Sequence, residues 1–340
     1  MLAAYARRLT LEWPVHYTPI MPVLSLASPE EIRAILSETH ALWSEGMTRE
    51  DYMTFVFAQM ESPWGRKNFR YLVWKDGDTV LSSLKLYRLD ARWGSRRMVL
   101  GGIGAVYTPR AHRGQGHARA MLSAVLALMP SEGMSGAVLF SDIGVEYYQR
   151  LGFHPLPSHE FSVSLEAVPR AECPRMKVER VQEEDWPEIE RLYARATASD
   201  PFVLGRSSAY WDYLRQKERE RARRLPEGRT SPCHWIIRCG RESVGYALVV
   251  SDPPALVLKE LIIVEGYPDA APALWDALRR EGTLLTGWWP PHRWSHLLPR
   301  EHTHLRPRRR EVAMLASLDP ELDVNTLAAC GDLFWATDHF

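Results

Sequence analysis

Apolar and polar positions along this chain follow two periods, and the switches between them mark its elements. From Ser28 the period is helical. Ser28 caps, Pro29 takes the first helical position, Glu30 and Glu31 supply first-turn acids, and Ile32, Ile35, Leu36 and His40 line one face. Thr48, with Asp51 three residues on, predicts a second helix reaching Gln59. The period then shortens: residues 70–74 and 80–86 predict a hairpin around Lys75-Asp76-Gly77-Asp78. Residues 98–108 form a third strand, followed by a helix that continues Arg119-Ala120-Met121-Leu122. A short apolar run at 137–141 is a buried strand, and the helix around Tyr148 stops at Gly152.

The second half repeats the order. Helices are expected at 183–198 and 207–224, strands at 234–238, 244–251 and 256–264, and a helix at 268–281. A stretch bounded by Pro169 and Pro174 reads as a linker. The expected fold class is α/β with mixed (α+β) sheets in two units, residues 1–168 and 175–340, joined at 169–174.

Between the third strand and its helix lies Thr108-Pro109-Arg110-Ala111-His112-Arg113-Gly114-Gln115-Gly116-His117-Ala118. A glycine-bearing loop at a helix start aims free backbone N–H groups at one point, as a pyrophosphate requires. No Gly-Lys-Ser/Thr closes the loop, which disfavours a nucleotide P-loop. Three spaced glycines with an acid about 20 residues on, the dinucleotide pattern, are missing too. An ordinary helix-start turn remains the bland alternative.

The pattern Arg-x-x-Gly-x-Ala at Arg113, Gly116 and Ala118 resembles the acetyl-CoA site of the GNAT (Gcn5-related) N-acetyltransferases. A second segment, Asp142-Ile143-Gly144-Val145-Glu146-Tyr147-Tyr148-Gln149-Arg150-Leu151-Gly152-Phe153, is similar to that family's Tyr-x-x-Leu-Gly-Phe helix. The likeness covers about residues 20–168. It implies acetyl-CoA as cosubstrate. Arg113, Gly114, Gln115, Gly116, His117, Ala118 and Arg119 would hold its pyrophosphate. Val106, Tyr107 and Thr108 would follow the pantetheine arm, and Ile143 and Gly144 would form a wall. Tyr148 takes the position of the general acid.

The second unit resembles a degenerate copy. Its corresponding loop, Val264-Glu265-Gly266-Tyr267-Pro268, has no Arg-x-x-Gly-x-Ala. The tandem order resembles the enhanced-intracellular-survival type, in which a terminal carboxylate removes the amine proton. That likeness implies Phe340 as general base. Asp338 and Glu146 are alternatives, as is a C-terminal segment docked purely for packing. The fungal lysine N6-acetyltransferases are similar as well, so the acceptor is expected to be a small-molecule amine: an amino acid such as lysine, a polyamine or an aminoglycoside. A protein lysine or N-terminus, or a non-catalytic acetyl-CoA sensor, stays open.

Composition narrows the partners. The 42 basic and 42 acidic residues leave no net field to draw the chain to nucleic acid or anionic lipid. No apolar run approaches the ~18 residues of a membrane span, and residues 1–22 carry no apolar leader core. Cys173, Cys233, Cys239 and Cys330 show no metal spacing and suit reduced thiols in a cytoplasm. His292, His296, His302 and His304 read as loop residues, so no metal is expected. The arginines of 306–310 and 219–224 read as solvated. Surplus aromatics leave an oligomer open.

Overall fold

The computed structural model describes residues 22–225 and 231–340, so the sequence reading of 1–21 lies outside the described residues. After β1 (Val23–Leu26) comes α1 (Pro29–Trp43), started by a reciprocal cap. The Ser28 hydroxyl accepts from the Glu31 N–H, and the Glu31 carboxylate accepts from the Ser28 N–H at 2.7 Å. Helix α2 (Arg49–Glu61) starts at Thr48 as expected, and the single turn α3 (Gly65–Asn68) leads into β2 (Phe69–Asp76). Strands β3 (Thr79–Trp93) and β4 (Arg96–Tyr107) then precede α4 (His117–Leu128), β5 (Gly136–Ser141), α5 (Glu146–Gln149) and β6 (His154–Pro155).

The next strand, β7 (His159–Ser164), already belongs to the other half's sheet. That half continues through β8 (Met176–Arg180), α6 (Trp186–Ala196), β9 (Phe202–Leu204), α7 (Ser208–Arg224) and β10 (Ser231–Pro232). Its central strands are β11 (Trp235–Cys239), β12 (Glu242–Asp252) and β13 (Ala255–Ile263). Then follow α8 (Ala270–Leu278), β14 (Leu284–Trp288), β15 (Thr303–Pro307), β16 (Val312–Ser317) and α9 (Val324–Ala329).

The first sheet runs β1-β2-β3-β4-β5-β16-β6 and the second β15-β7-β14-β13-β12-β11-β8. Each contains one parallel pair joined through a helix: β4–α4–β5 in the first, β13–α8–β14 in the second. The halves exchange strands beside those pairs. β16, from the C-terminal region, lies against β5, and β7, from the first half, lies against β14. Strand β9 adds further to β3. The expected division at 169–174 therefore does not coincide with the division of strands between sheets. Each sheet is completed by the other's chain.

Two cores cover the first sheet. Met121, Leu122, Leu139, Tyr148 and Phe153 pack on the face that carries α4. Ile32, Leu36, Tyr52, Val56, Tyr87 and Phe334 pack on the face that carries α1 and α2. Helix α7 docks on α2 there, with the Tyr213 hydroxyl donating to Gln59 at 3.2 Å and the Gln216 amide donating to the Ala58 carbonyl.

Candidate active site

Strands β4 and β5 pair only from Leu100 to Ile103, against Gly136 to Leu139, and then part. The parting has a local cause. The β3–β4 register slips between Ser83 and Lys85, opposite a bulge at Gly104–Tyr107 that holds Ala105 at φ 48°. A bulge turns its strand and frees it from one neighbour. The gap opens into a cleft of about 1940 Å³.

The glycine loop forms one end of this cleft. Gly114 (φ 76°) and Gly116 (φ 84°) both take the left-handed conformation, so the turn needs glycine for its backbone. No atom lies within 4 Å of where a Cβ would stand on either, and that space faces the cleft. Helix α4 starts with no side chain capping it, which leaves its first-turn N–H groups open. Arg113 is tied back, donating through Nε to the Thr108 carbonyl at 3.0 Å, and steadies the loop against the strand end. This is a cradle that suits a pyrophosphate.

Val106, Tyr107, Thr108, Arg113, Gly114, Gly116, His117, Ala118, Arg119 and Ile143 all line the cleft, as expected. Gln115 and Gly144 do not. The Gln115 amide turns back to the Ala111 carbonyl, and the Gly144 carbonyl accepts from the Ser141 hydroxyl. Tyr148 is 8% exposed and reaches the cleft from the α4 face. Its phenol is pushed up to about 12, by burial first and then by Tyr147 and Asp142. It therefore holds its proton at neutral pH. Glu146 is exposed and does not line the cleft.

Phe340 enters from the opposite face. Its ring lies 5.0 Å from Tyr87 and 5.4 Å from Phe140, over Gly102. A Cβ on Gly104 would stand 3.6 Å from its backbone oxygen, so the end of this residue sits where the strands part. The segment behind it is clasped. Arg206, with a fully buried side chain, pairs with Glu260 and with Asp338, each at 2.7 Å, and donates to Thr337. Thr337 bonds Glu260 in turn, and Tyr246 donates to Glu260 at 2.5 Å. Asp338 is thus spent on holding the segment and does not line the cleft, which removes it as a base.

Arg306, Arg309 and Arg310 are exposed as expected, and Arg308 departs from expectation. Arg308 is only 7% exposed, with its guanidinium 3.6 Å from the centre of the Trp288 ring, and residues 306–311 line the cleft. Lys217 and Arg221 of α7 line it as well. Cation–π stacking on an aromatic contributed by β14 draws Arg308 inward. Sequence reasoning missed Lys85, Lys217 and Arg308. The signal for Lys85 was present: a lysine set between Leu84 and Leu86 in an apolar strand.

Residues 33–156 match the model of the acetyltransferase (GNAT) domain. Over that stretch, about a third of the chain, the sequence matches a GNAT acetyltransferase domain. Curated proteins give no match to the sequence. Among solved structures, a GCN5-related N-acetyltransferase from Anabaena variabilis aligns with a TM-score of 0.67 at 18% identity, over 86% of this chain and 72% of its own. Eis1 from Mycobacterium abscessus aligns at 0.59 and 13% identity, over 92% and 76%. A tandem GNAT protein from the clavulanic acid biosynthesis pathway aligns at 0.56 and 11% identity, over 88% and 99%. These likenesses show the fold: a GNAT domain followed by a second GNAT-like unit.

Proposed function

We propose that the chain is an acetyl-CoA-dependent N-acetyltransferase that acylates the primary amine of a small molecule, with both substrates bound at once. The observation that carries this reading is the convergence of the glycine loop, Tyr148 and Phe340 on one cleft, from both faces of the sheet. The second unit lacks the loop and serves as scaffold. Four unpaired cysteines support a reducing, cytoplasmic setting.

Acetyl-CoA, when bound, supplies the activated acyl group. The protein supplies the rest. An alkyl ammonium of pKa ~10.4 is neutral about once in 2,500 molecules at pH 7, a barrier contribution of ~4.6 kcal/mol. The Phe340 carboxylate takes that proton at the parting of β4 and β5. Among the described residues it has no ion pair or hydrogen bond that would compete. The amine nitrogen bonds to the acyl carbon as the carbon–sulfur bond breaks, and Tyr148 Oη gives its proton to the departing sulfur. The Tyr148 proton, retained because of burial, suits it to donate rather than accept.

The test is thiol release from acetyl-CoA across amino acids, polyamines, aminoglycosides and short peptides, with Tyr148→Phe beside the wild type. Selective turnover that falls in the variant while acetyl-CoA still binds supports the reading. Silence across the panel in a folded, cofactor-binding protein would refute it.

A further inference from the structure

The α1/α2 face of the cleft holds more positive charge than its own carboxylates answer. Lys85, Lys217, Arg221 and Arg308 line it. Lys217 Nζ donates to the His339 carbonyl at 3.0 Å. Arg221 pairs with Glu45 at 2.5 Å. Arg308 has neither an ion pair nor a partner for Nε and Nη1, although both atoms are buried. Of the carboxylates nearby, that of Phe340 is kept for the amine's proton, and the others are committed elsewhere. Glu311 accepts from the Trp288 indole at 3.1 Å, Glu160 from Arg306 at 2.7 Å, and Asp332 from His159 at 2.7 Å.

The cations also burden one another. Lys217 is pushed down to about 7 by burial, then by Arg221, Lys85 and Lys259, and Lys85 is pushed down to about 8 by burial. His339, half-buried between Phe140 and Trp288, is pushed down to about 3 by desolvation and then by Lys217, Lys259, Arg308 and Arg221. Half-buried like charges around a buried, unpartnered guanidinium are costly unless an anion joins them.

The cofactor's phosphates belong elsewhere. Their cradle, Arg113 to Arg119, opens at the start of α4, on the other face of the sheet. Arg308 and Lys217 flank the aromatic floor of Phe140, Trp288 and His339, beside Phe340. An amine waiting at Phe340 would extend its remaining atoms over that floor.

We propose that the acceptor is an amine that also bears a carboxylate, and that Arg308 and Lys217 bind this carboxylate. The proposal rests on the acetyl-transfer reading for the word acceptor, but not for the anion site itself. It disfavours polyamines and aminoglycosides, whose added positive charge would meet the same cations.

Binding is measured calorimetrically on the CoA-loaded protein. The probes are N-acetylated ω-amino acids, from N-acetylglycine to 6-acetamidohexanoate, each against its primary amide. We expect at least one acid to bind about tenfold tighter than its amide, a difference that Arg308→Met and Lys217→Gln each abolish. Acids that bind no tighter than amides would overturn the proposal, as would a preference that survives both variants. A loss of CoA affinity in the variants equal to the loss of acid affinity would assign the cations to the cofactor and overturn it too. Turnover of ω-amino acids against matched alkylamines separates the two readings. Acid-selective binding without any acetylation leaves the anion site standing and sinks the transferase. Acetylation of both series at equal rates does the reverse.

Discussion

The two parallel strand pairs of this molecule are built alike and used differently. β4 and β13 each carry a bulge, at Gly104–Tyr107 and at Lys259, and each is joined by a helix to a parallel partner. Beyond the first bulge the strands part around an open cleft with uncapped helix N–H groups and unpartnered donors. Beyond the second, the corresponding charges are already answered: Glu260 is fully buried against Arg206, Tyr246 and Thr337, and Arg206 pairs with Asp338 as well. One unit keeps its polar groups unsatisfied for a ligand. The other pairs its buried charges with one another, leaving only the Nε of Arg206 in that cluster without a partner, and that closure holds the segment that delivers Phe340 to the first. The strand exchange of β7 and β16 ties the pair together.

The sharpest way to break this division is to open the filled site. Arg206→Met should cost about 3–5 kcal/mol, the usual penalty for stranding buried partners. Activity should fall with it as the 335–340 segment loosens, measured by denaturant unfolding beside thiol release. Next in size is chemistry on the open side. Tyr148→Phe should lower kcat about 10²-fold, within the range of a lost proton donor, with acetyl-CoA affinity retained.

Two matched glycine changes sharpen the contrast. Gly116→Val puts a branched side chain in a left-handed position facing the cleft, and should raise the Kd for acetyl-CoA at least about tenfold. Gly266, in the second unit's loop, has φ 95° and open space around it. Gly266→Ala should cost about 1–2 kcal/mol of stability and leave that Kd where it was.

A smaller effect follows from pH. Lys217 and Lys85 are held down at about 7 and about 8. Each carries charge below its value and loses it above. Affinity for a carboxylate probe should therefore fall as pH rises through 7 to 8, while affinity for the matching amide stays flat. Arg221, Lys259 and Glu45 face the same group and set how far it moves.

What the sequence disclosed follows the range of the interactions. The caps at Ser28 and Thr48, the hairpin turn, the glycine loop and the Tyr148 helix are decided within a few residues, and all were legible. The exchange of β7 and β16 was not. Residues 159–164 alternate like any edge-side strand and 312–317 are a plain apolar run, and their partners are chosen by register with strands about 120 to 180 residues away. The exposed reading of 306–310 holds for Arg306, Arg309 and Arg310 and failed at Arg308 for the same reason. An arginine run is ordinarily solvated, and only Trp288, arriving from another strand, gives Arg308 a buried seat. Asp338 looked like a base because it stands two residues from Phe340, but Arg206, 132 positions earlier, had claimed it.

The proposed division of labour requires one unit to bind the cofactor and the other not to. Titration calorimetry of acetyl-CoA into the wild type, Gly116→Val and Gly266→Ala measures this directly. The prediction is one site per chain, weakened by the first change and untouched by the second. Two sites per chain, or a single site lost through Gly266 and not through Gly116, would contradict it.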